Sequence, residues 1–148
     1  MRFGSPEQVL AEATQRLGGL GAVVAVAPIM QSAPVGPSLR RYANGAAVLD
    51  TALDPPALLA ALKTLERAFG RRVGGQRWSA RVLDCDIVLW SGGVWHGAAL
   101  TIPHAQFSRR DFVLRPACAV APGWRDPITG LTLRHLHARL TRPRPAIR

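Results

Sequence analysis

Long apolar runs and signal-like termini are missing from this chain of 148 residues. Its longest apolar stretch, from Leu20 to Met30, is interrupted by Gly21 and Pro28 and is far shorter than the roughly 20 residues that a membrane span needs. The amino terminus has no charged-then-apolar pattern of a secretory signal. The sequence therefore predicts no membrane span, no secreted precursor and no coiled coil, and a cytoplasmic location is expected.

Cysteine and lysine are both scarce. Cys85 and Cys118 lie in apolar surroundings and form no CxxC pair, so buried thiols in a reducing compartment are expected rather than a zinc site. Lys63 is the single lysine among 19 basic residues, which exceed the 9 acidic ones and give a net charge of +10. The arginine bias is typical of a GC-rich genome, but it also suits phosphate oxygens and a polyanionic partner, either a nucleotide or a nucleic acid.

Two common catalytic patterns are also absent. The chain has no GxxxxGK[ST] motif, which excludes a P-loop. It has no Ser-His-Asp or Cys-His spacing that would favour acyl transfer. A nucleotide would therefore have to be bound by other means.

The pattern of apolar residues predicts one α+β domain over residues 1–148, with a loose basic tail from about residue 141. The predicted elements are a helix over 5–17, strands over 22–31 and 42–53, a helix over 54–70, a strand over 82–90 with a short partner strand over 94–100, and helices over 112–121 and 132–140. This order is similar to a ferredoxin-like βαββαβ sandwich with a mostly antiparallel sheet whose first strand is missing.

Asp84 and Asp86 are the most prominent local feature. Residues i and i+2 of a strand point to the same face, so the two carboxylates are expected side by side, with Leu83, Cys85, Ile87 and Leu89 on the buried face. Two adjacent carboxylates repel each other unless cations neutralise them, and oxygen ligands suit Mg²⁺ beside substrate phosphates. A solvated strand face with two exposed acids is the alternative interpretation of this pair alone.

The segment just before the acids is rich in glycine and arginine. Residues 70–81 contain Arg71, Arg72, Arg77 and Arg81 and one tryptophan, Trp78. A basic loop beside paired acids is typical of a clamp for a triphosphate. The alternatives are a solvated loop and a loop that binds RNA phosphates.

Several motifs together are similar to the 6-hydroxymethyl-7,8-dihydropterin pyrophosphokinase family of folate biosynthesis. The segments that carry this resemblance are APVGP, YANGA, LERAFGRR, RWSARVLDCDIVLW and LTIPHAQFSRRDFVLRPACAVAP. The resemblance implies an ATP-dependent diphosphotransferase in which the pterin hydroxymethyl oxygen attacks the β-phosphorus of ATP and AMP leaves. It implies two Mg²⁺ ions, ATP as co-substrate, small-molecule partners without nucleic acid, and a monomer.

The resemblance also assigns roles to individual residues. The residues expected to act in catalysis are Arg71, Arg81, Asp84 and Asp86, with both aspartates holding the metal. The residues expected to bind the pterin are Val35, Tyr42, Asn44, Trp78 and Phe112. The residues expected to bind ATP are Glu66, Arg71, Arg77, Arg81, Ile87, Leu100, Thr101, His104 and Arg110. Stacking on two aromatic rings, with an amide at the ring edge, suits a flat polar pterin.

The chain departs from the family pattern at its start. The family opens with an interior strand and a glycine-rich turn, whereas this sequence begins at MRFGSPEQ, at the entry to the first helix. Either the start codon is misassigned or the protein tolerates an incomplete sheet. Ser79, Val73 and Ala99 are smaller departures that affect the expected ATP contacts. The alternative function is a truncated, inactive basic module that binds nucleotide or RNA.

Overall fold

The computed structural model describes residues 5–32, 42–71 and 83–143, and within these ranges the chain is α+β. The helices are α1 (Pro6–Leu17), α2 (Pro55–Arg71), α3 (Asp111–Val120) and α4 (Leu133–Thr141). The strands are β1 (Ala22–Val26), β2 (Met30–Ser32), β3 (Tyr42–Asn44), β4 (Ala47–Asp50), β5 (Trp95–His96) and β6 (Thr101–Ile102). All the pairings between these strands are antiparallel.

Local sequence signals start the first two helices where they were predicted. The Ser5 side chain accepts the Gln8 N–H and the Gln8 side chain accepts the Ser5 N–H, so α1 begins with a complete capping box. The Asp54 carboxylate accepts the N–H of Ala57 at 2.9 Å at the start of α2. The predicted helices over 5–17 and 54–70 are confirmed.

The two long strands predicted over 22–31 and 42–53 form an interrupted hairpin. Strand β1 pairs with β4 and strand β2 pairs with β3, with a register shift between Val23 and Ala25. Pro28 lies between β1 and β2 and has no N–H for a ladder, which breaks the strand there. The N–H of Ala27 still donates to the Ala46 carbonyl at 2.9 Å, so the two ladders remain connected.

The strand predicted over 82–90 is wrong for residues 83–90, which we call the acid-pair segment. Among the described residues no strand pairs with this segment. The Cys85 N–H donates to the Glu66 carboxylate, and the Val88 carbonyl accepts the N–H of His104. The expected partner strand over 94–100 forms β5, which pairs with β6 instead. The prediction failed because it rested on alternating residue types. A strand also requires a second backbone segment to pair with, and the alternation does not supply one.

Two separate hydrophobic clusters form the core. The α1–α2 cluster is centred on Phe69, which is completely buried; its other buried members are Val9, Ala13 and Leu83. The α3–α4 cluster has as its buried members Phe107, Leu114, Ala117, Ala121, Leu133 and Leu136. Cys85 packs against the first cluster, whereas Val88 and Leu89 pack against the second. The acid-pair segment therefore contacts both clusters, and its apolar residues do not form the single buried face that was predicted.

Helix α3 packs beside the hairpin. It contacts β2, β3 and β4, while α1 contacts β1 and β3. In the described part of the chain, no helix is long and apolar enough to span a bilayer.

Candidate functional site

The two aspartates of the acid-pair segment are both exposed. Burial alternates along the start of the segment. Leu83 is 5% exposed and Cys85 is half-buried, whereas Asp84 and Asp86 are exposed. The apolar residues attach the segment to the α1–α2 cluster and leave the carboxylates accessible. The sequence pattern thus predicted the exposure of both acids correctly, although the segment is not a strand.

A helix side chain holds the backbone between the two aspartates. Glu66, on α2, accepts the Cys85 N–H through Oε2 at 2.9 Å. Its other oxygen, Oε1, lies 3.2 Å from Nζ of Lys63, one turn earlier on the same helix. The bond from the Cys85 N–H to Glu66 is a second link between α2 and the acid-pair segment, beside the apolar contact of Leu83.

His104 lies close to the second aspartate. Its Nε2 atom is 3.9 Å from Oδ1 of Asp86, and its backbone N–H donates to the Val88 carbonyl at 3.0 Å. Its Nδ1 atom is buried and has no hydrogen-bond partner among the described residues. A buried ring nitrogen without a hydrogen bond lowers the stability of the fold. A ligand that forms a hydrogen bond with Nδ1 would remove this penalty.

The thiol between the aspartates has a raised pKa. Burial is the largest cause, and together with the neighbouring carboxylates of Glu66, Asp84 and Asp86 it raises the pKa of Cys85 to about 12. A thiol with this pKa stays protonated near neutral pH, so Cys85 is neither a nucleophile nor a thiolate ligand there. The donors that remain at this point of the site are carboxylate oxygens.

A cavity of about 330 Å³ opens between α2 and the β5–β6 hairpin. Its lining residues are Pro56, Leu59, Ala60, Lys63, Trp95, Gly97, Ala98, Ala99 and Leu100. Among the described residues that line this cavity, Lys63 is the one charged residue, and it is also the partner of Glu66. The cavity is large enough for a small planar ligand, and its apolar walls suit one face of a base.

The cavity and the acid pair are connected twice. One connection runs from Lys63 in the cavity wall through Glu66 to the backbone of Cys85. The other runs along the chain from Leu100 in the cavity wall, through β6, to His104 beside Asp86. Of the residues expected to bind ATP, the fold thus gathers Glu66, Leu100, Thr101 and His104 around one region.

The expected pterin residues lie on the hairpin and on α3. Tyr42 and Asn44 are two residues apart on β3, and Phe112 is in the first turn of α3, which contacts β3. Tyr42 and Phe112 are 45% and 47% exposed, unusually accessible for large aromatic rings. The Arg110 guanidinium carbon lies 5.9 Å from the centre of the Phe112 ring. Two exposed rings and an amide therefore lie on contacting elements.

Several expected site residues lie outside the described part of the chain. Val35, Arg77, Trp78 and Arg81 are among them, as is the loop that contains the last three. Arg71 is the last residue of α2, but its side chain also lies outside the described residues. Their roles stay predictions.

Sequence reasoning did not find Lys63 or Phe69. Lys63 connects the cavity wall to Glu66, and Phe69 is the fully buried centre of the cluster that holds Leu83. The helical spacing of Glu66 and Lys63, three residues apart, was a usable signal for an ion pair. No local pattern indicated that Phe69 would face Leu83, because that contact joins residues distant in sequence.

The donor set of the acid pair fits Mg²⁺. No group of three or more His, Cys, Asp or Glu side chains that could hold a metal forms within residues 5–32, 42–71 and 83–143. Mg²⁺ is commonly bound by one or two carboxylates together with water and substrate phosphates. Asp84 and Asp86 fit this type of coordination, since they supply two exposed carboxylates. The other coordination positions of the ion would be left to water and substrate phosphates.

Fold and site together define a class: an α+β protein in which paired exposed carboxylates are connected to a small apolar cavity. The profile of the 7,8-dihydro-6-hydroxymethylpterin-pyrophosphokinase (HPPK) family matches residues 2–122. The chain belongs to this family.

Individual relatives agree with the family match. The chain is 40% identical over 103 residues to a protein of Synechocystis sp., covering 70% of this chain and 52% of that protein. It is 42% identical over 106 residues to one of Pseudomonas aeruginosa, covering 71% and 65%. It is 40% identical over 102 residues to one of Pseudomonas putida, covering 68% and 84%. All three relatives are named 2-amino-4-hydroxy-6-hydroxymethyldihydropteridine pyrophosphokinase.

The chain matches only part of some relatives. It spans about half of the Synechocystis protein and just under two thirds of the Pseudomonas aeruginosa protein. Family membership follows from the matches, and the activity of the chain is argued separately below.

Proposed function

We propose that this protein transfers pyrophosphate from ATP to 6-hydroxymethyl-7,8-dihydropterin, which yields the pterin diphosphate and AMP for folate biosynthesis. The observation that carries the proposal is the double connection between the apolar cavity and the exposed acid pair. An ATP molecule with its base in the cavity and its phosphates at Asp84 and Asp86 would occupy both places. The names of the relatives support the same reaction.

The reaction requires one bond to form and one to break. The pterin hydroxymethyl oxygen forms a bond to the β-phosphorus of ATP, and the bond from that phosphorus to the α,β-bridging oxygen breaks. AMP leaves with the bridging oxygen, and the hydroxyl proton is released. Phosphoryl transfer of this kind depends on positioning and charge stabilisation rather than on a protein nucleophile, in line with the protonated Cys85 thiol.

The two aspartates hold the metal in this proposal. Asp84 and Asp86 would bind two Mg²⁺ ions, which when bound neutralise charge on the attacking and leaving oxygens. His104 lies beside Asp86 and has a buried ring nitrogen available for a phosphate oxygen or a bound water. Arg110 precedes the first turn of α3 and can reach anionic groups near Phe112. Arg71, at the end of α2, and Arg77 and Arg81, in the predicted loop, are proposed to stabilise the triphosphate.

The second substrate is proposed to bind at the hairpin and α3. Tyr42 and Phe112 would stack on the two faces of the pterin, and Asn44 would read the polar edge of the ring. The exposure of both rings and the contact between α3 and β3 support this arrangement. Val35 and Trp78 are proposed to complete the pterin site, and Ile87, Leu100 and Thr101 the nucleotide site.

The finer structural assignments belong to the same proposal. A single ferredoxin-like βαββαβ domain over residues 1–148, with a mostly antiparallel sheet and a tail from about 141, is proposed. The antiparallel pairing of the described strands supports this architecture. The protein is further proposed to be a cytoplasmic monomer that binds no nucleic acid. The comparisons do not support the alternative of a truncated, inactive basic module that binds nucleotide or RNA.

The test is a direct assay of AMP formation with ATP, hydroxymethyldihydropterin and Mg²⁺, together with mass detection of the pterin diphosphate. Asp84→Asn and Asp86→Asn should each lower the rate about a thousandfold, since metal stabilisation of transition-state charge is worth several kcal/mol. Asp50→Asn is the matched control, because Asp50 is also exposed but lies on β4.

The outcomes separate the two functions. Loss of AMP formation in both site variants with retention in Asp50→Asn supports the pyrophosphokinase. Nearly unchanged rates in Asp84→Asn and Asp86→Asn would exclude the proposed metal site. Absence of any product, combined with RNA binding that weakens steeply with salt and needs no Mg²⁺, would favour the basic binding module.

A further inference from the structure

We propose that Glu66 is a positioning residue, which holds the acid pair through the Cys85 backbone, and not a residue that touches the nucleotide. The resemblance to the family placed Glu66 among the ATP-binding residues. The structure instead directs its carboxylate toward the chain itself. This inference rests on the proposed function only where it concerns the metal that Asp84 and Asp86 hold.

The Glu66 side chain has both of its oxygens in use. Oε2 accepts the Cys85 N–H at 2.9 Å, and Oε1 lies 3.2 Å from Nζ of Lys63. The side chain of Glu66 is only 10% exposed, whereas that of Lys63 is 43% exposed. A nearly buried carboxylate with a partner on each oxygen offers little surface to a substrate. Lys63, in the cavity wall, is the member of the pair that remains accessible.

The position of the hydrogen bond matters for both aspartates. Cys85 lies between Asp84 and Asp86, so a bond to its N–H restrains the peptide units from which both carboxylates extend. Among the described residues no strand pairs with the acid-pair segment, and a sheet therefore does not restrain it. Leu83 packs beside Phe69, which is a non-directional attachment, and the Val88 carbonyl accepts the His104 N–H two residues after Asp86. The Glu66 bond is the directional restraint that acts on the peptide unit between the two aspartates.

This arrangement resembles the way in which partners of metal ligands usually act. Groups that orient the ligands of a metal are not ligands themselves, yet their removal typically costs about 10- to 100-fold in metal affinity or activity. Here the orientation is transmitted through a backbone N–H rather than through the carboxylates. An acceptor at position 66 is therefore required, whereas a negative charge there is not.

Two substitutions separate these requirements. Glu66→Gln keeps the length of the side chain and an amide oxygen that can accept the Cys85 N–H. Glu66→Met keeps the length and the helix propensity but removes the strong acceptor. Lys63→Met removes the other partner of Glu66 and leaves the bond to Cys85 in place. All three variants can be compared in the full chain.

The first measurement needs no metal and no activity. In protein labelled with ¹⁵N-cysteine, hydrogen exchange of the Cys85 amide should be slow in the wild type, in Glu66→Gln and in Lys63→Met. It should be about tenfold faster in Glu66→Met, because one hydrogen bond is lost. A fast-exchanging Cys85 amide in the wild type would overturn the proposal, even if Glu66→Met did not fold.

The second measurement uses Mn²⁺ as the probe, followed by water-proton relaxation in the presence of ATP. The concentration of Mn²⁺ at half-saturation should rise about tenfold in Glu66→Met and stay within about threefold of the wild type in Glu66→Gln. If Glu66→Gln and Glu66→Met weakened Mn²⁺ binding equally while the Cys85 amide stayed protected in both, Glu66 would instead contact the nucleotide directly. Slow exchange that depends on Glu66 in a protein without pyrophosphokinase activity would support the positioning role and reject the proposed reaction.

Discussion

Tyr42 and Asn44 lie in a hairpin whose strands exchange backbone hydrogen bonds, whereas Asp84 and Asp86 lie in a segment with which no described strand pairs. The hairpin has two connected ladders, β1 with β4 and β2 with β3. The acid-pair segment has the Glu66 bond, the contact between Val88 and His104, and packing against two clusters. In a ladder, many hydrogen bonds together restrain the backbone. In the acid-pair segment, contacts from a few residues restrain it.

This difference predicts where substitutions cause damage. In the hairpin, loss of one side chain leaves the backbone pairing intact. In the acid-pair segment, loss of one holding residue should affect the orientation of both aspartates. The following predictions test that contrast, from the largest expected effect to the smallest.

Phe69→Ala should have the largest effect on stability. Phe69, on α2, is completely buried in a cluster with Val9, Ala13 and Leu83, so the free energy of unfolding should fall by about 3–5 kcal/mol. Hydrogen exchange should increase more over residues 83–90 than over the hairpin. Phe112→Ala is the control, since Phe112 is exposed and its removal should leave the free energy of unfolding almost unchanged. Equal destabilisation by the two variants would contradict the assigned core.

Cys85 should be protected from alkylation in the metal-free protein. Cys118→Ser leaves Cys85 as the single thiol. Because its pKa is raised from 9.0 to about 12, iodoacetamide at pH 9 should react about a hundredfold or more slowly with the folded chain than with the urea-unfolded chain. Comparable rates in both states would show that the thiol is not buried between the carboxylates.

The same raised pKa gives a direction for stability. Between pH 9 and pH 12 the folded state keeps the Cys85 proton that the unfolded state releases, so this group stabilises the fold below pH 9 and its contribution is lost as the pH rises. Cys85→Ser should therefore flatten the decrease in the thermal midpoint over that range. An unchanged slope in the variant would contradict the assignment.

Phe112→Ala should weaken the binding of the pterin by about 1–3 kcal/mol, through lost stacking and burial. The affinity for ATP should change much less, because the proposed nucleotide cavity is lined by α2 and the β5–β6 hairpin rather than by α3. Separate titrations with each ligand measure the two effects. Equal losses for both ligands would mean that the ring has no specific role at the pterin site.

Thr51→Val should have the smallest effect. The Thr51 hydroxyl donates to the Leu20 carbonyl at 2.7 Å and accepts the N–H of Leu53, so its loss should cost about 1 kcal/mol. AMP formation should be unchanged, because the ladders of the hairpin persist. Thr64→Val is the matched control, since that hydroxyl donates to the Ala60 carbonyl and accepts from Arg67, and both of these bonds stay within α2. A large loss of activity in Thr51→Val would show that the hairpin is as fragile as the acid-pair segment.

Much of the local structure was predictable from the sequence. Ser5 and Asp54 cap their helices as their positions indicated, and the apolar spacing of α1 placed Val9 and Ala13 in the core. The exposure of Asp84 and Asp86 followed from their alternation with Leu83 and Cys85. These predictions succeed because caps and periodicity depend on residues within about one turn of each other.

The strand over 82–90 and the partner strand over 94–100 were not predictable in this way. Backbone pairing depends on which segment lies alongside, and β5 pairs with β6 rather than with the acid-pair segment. The membership of the candidate site was suggested by motifs, but the residues expected at positions 35, 77, 78 and 81 lie outside the described chain and their roles stay predictions.

The sequence by itself determined the helices, the paired acids and, through its ordered motifs, the family to which the chain belongs. The tertiary structure alone decided that Glu66 would accept the Cys85 N–H and that Leu83 would pack beside Phe69. These contacts join α2 to a segment more than a dozen residues further along the chain. Their energies depend on a distance in space that no local pattern of residues specifies.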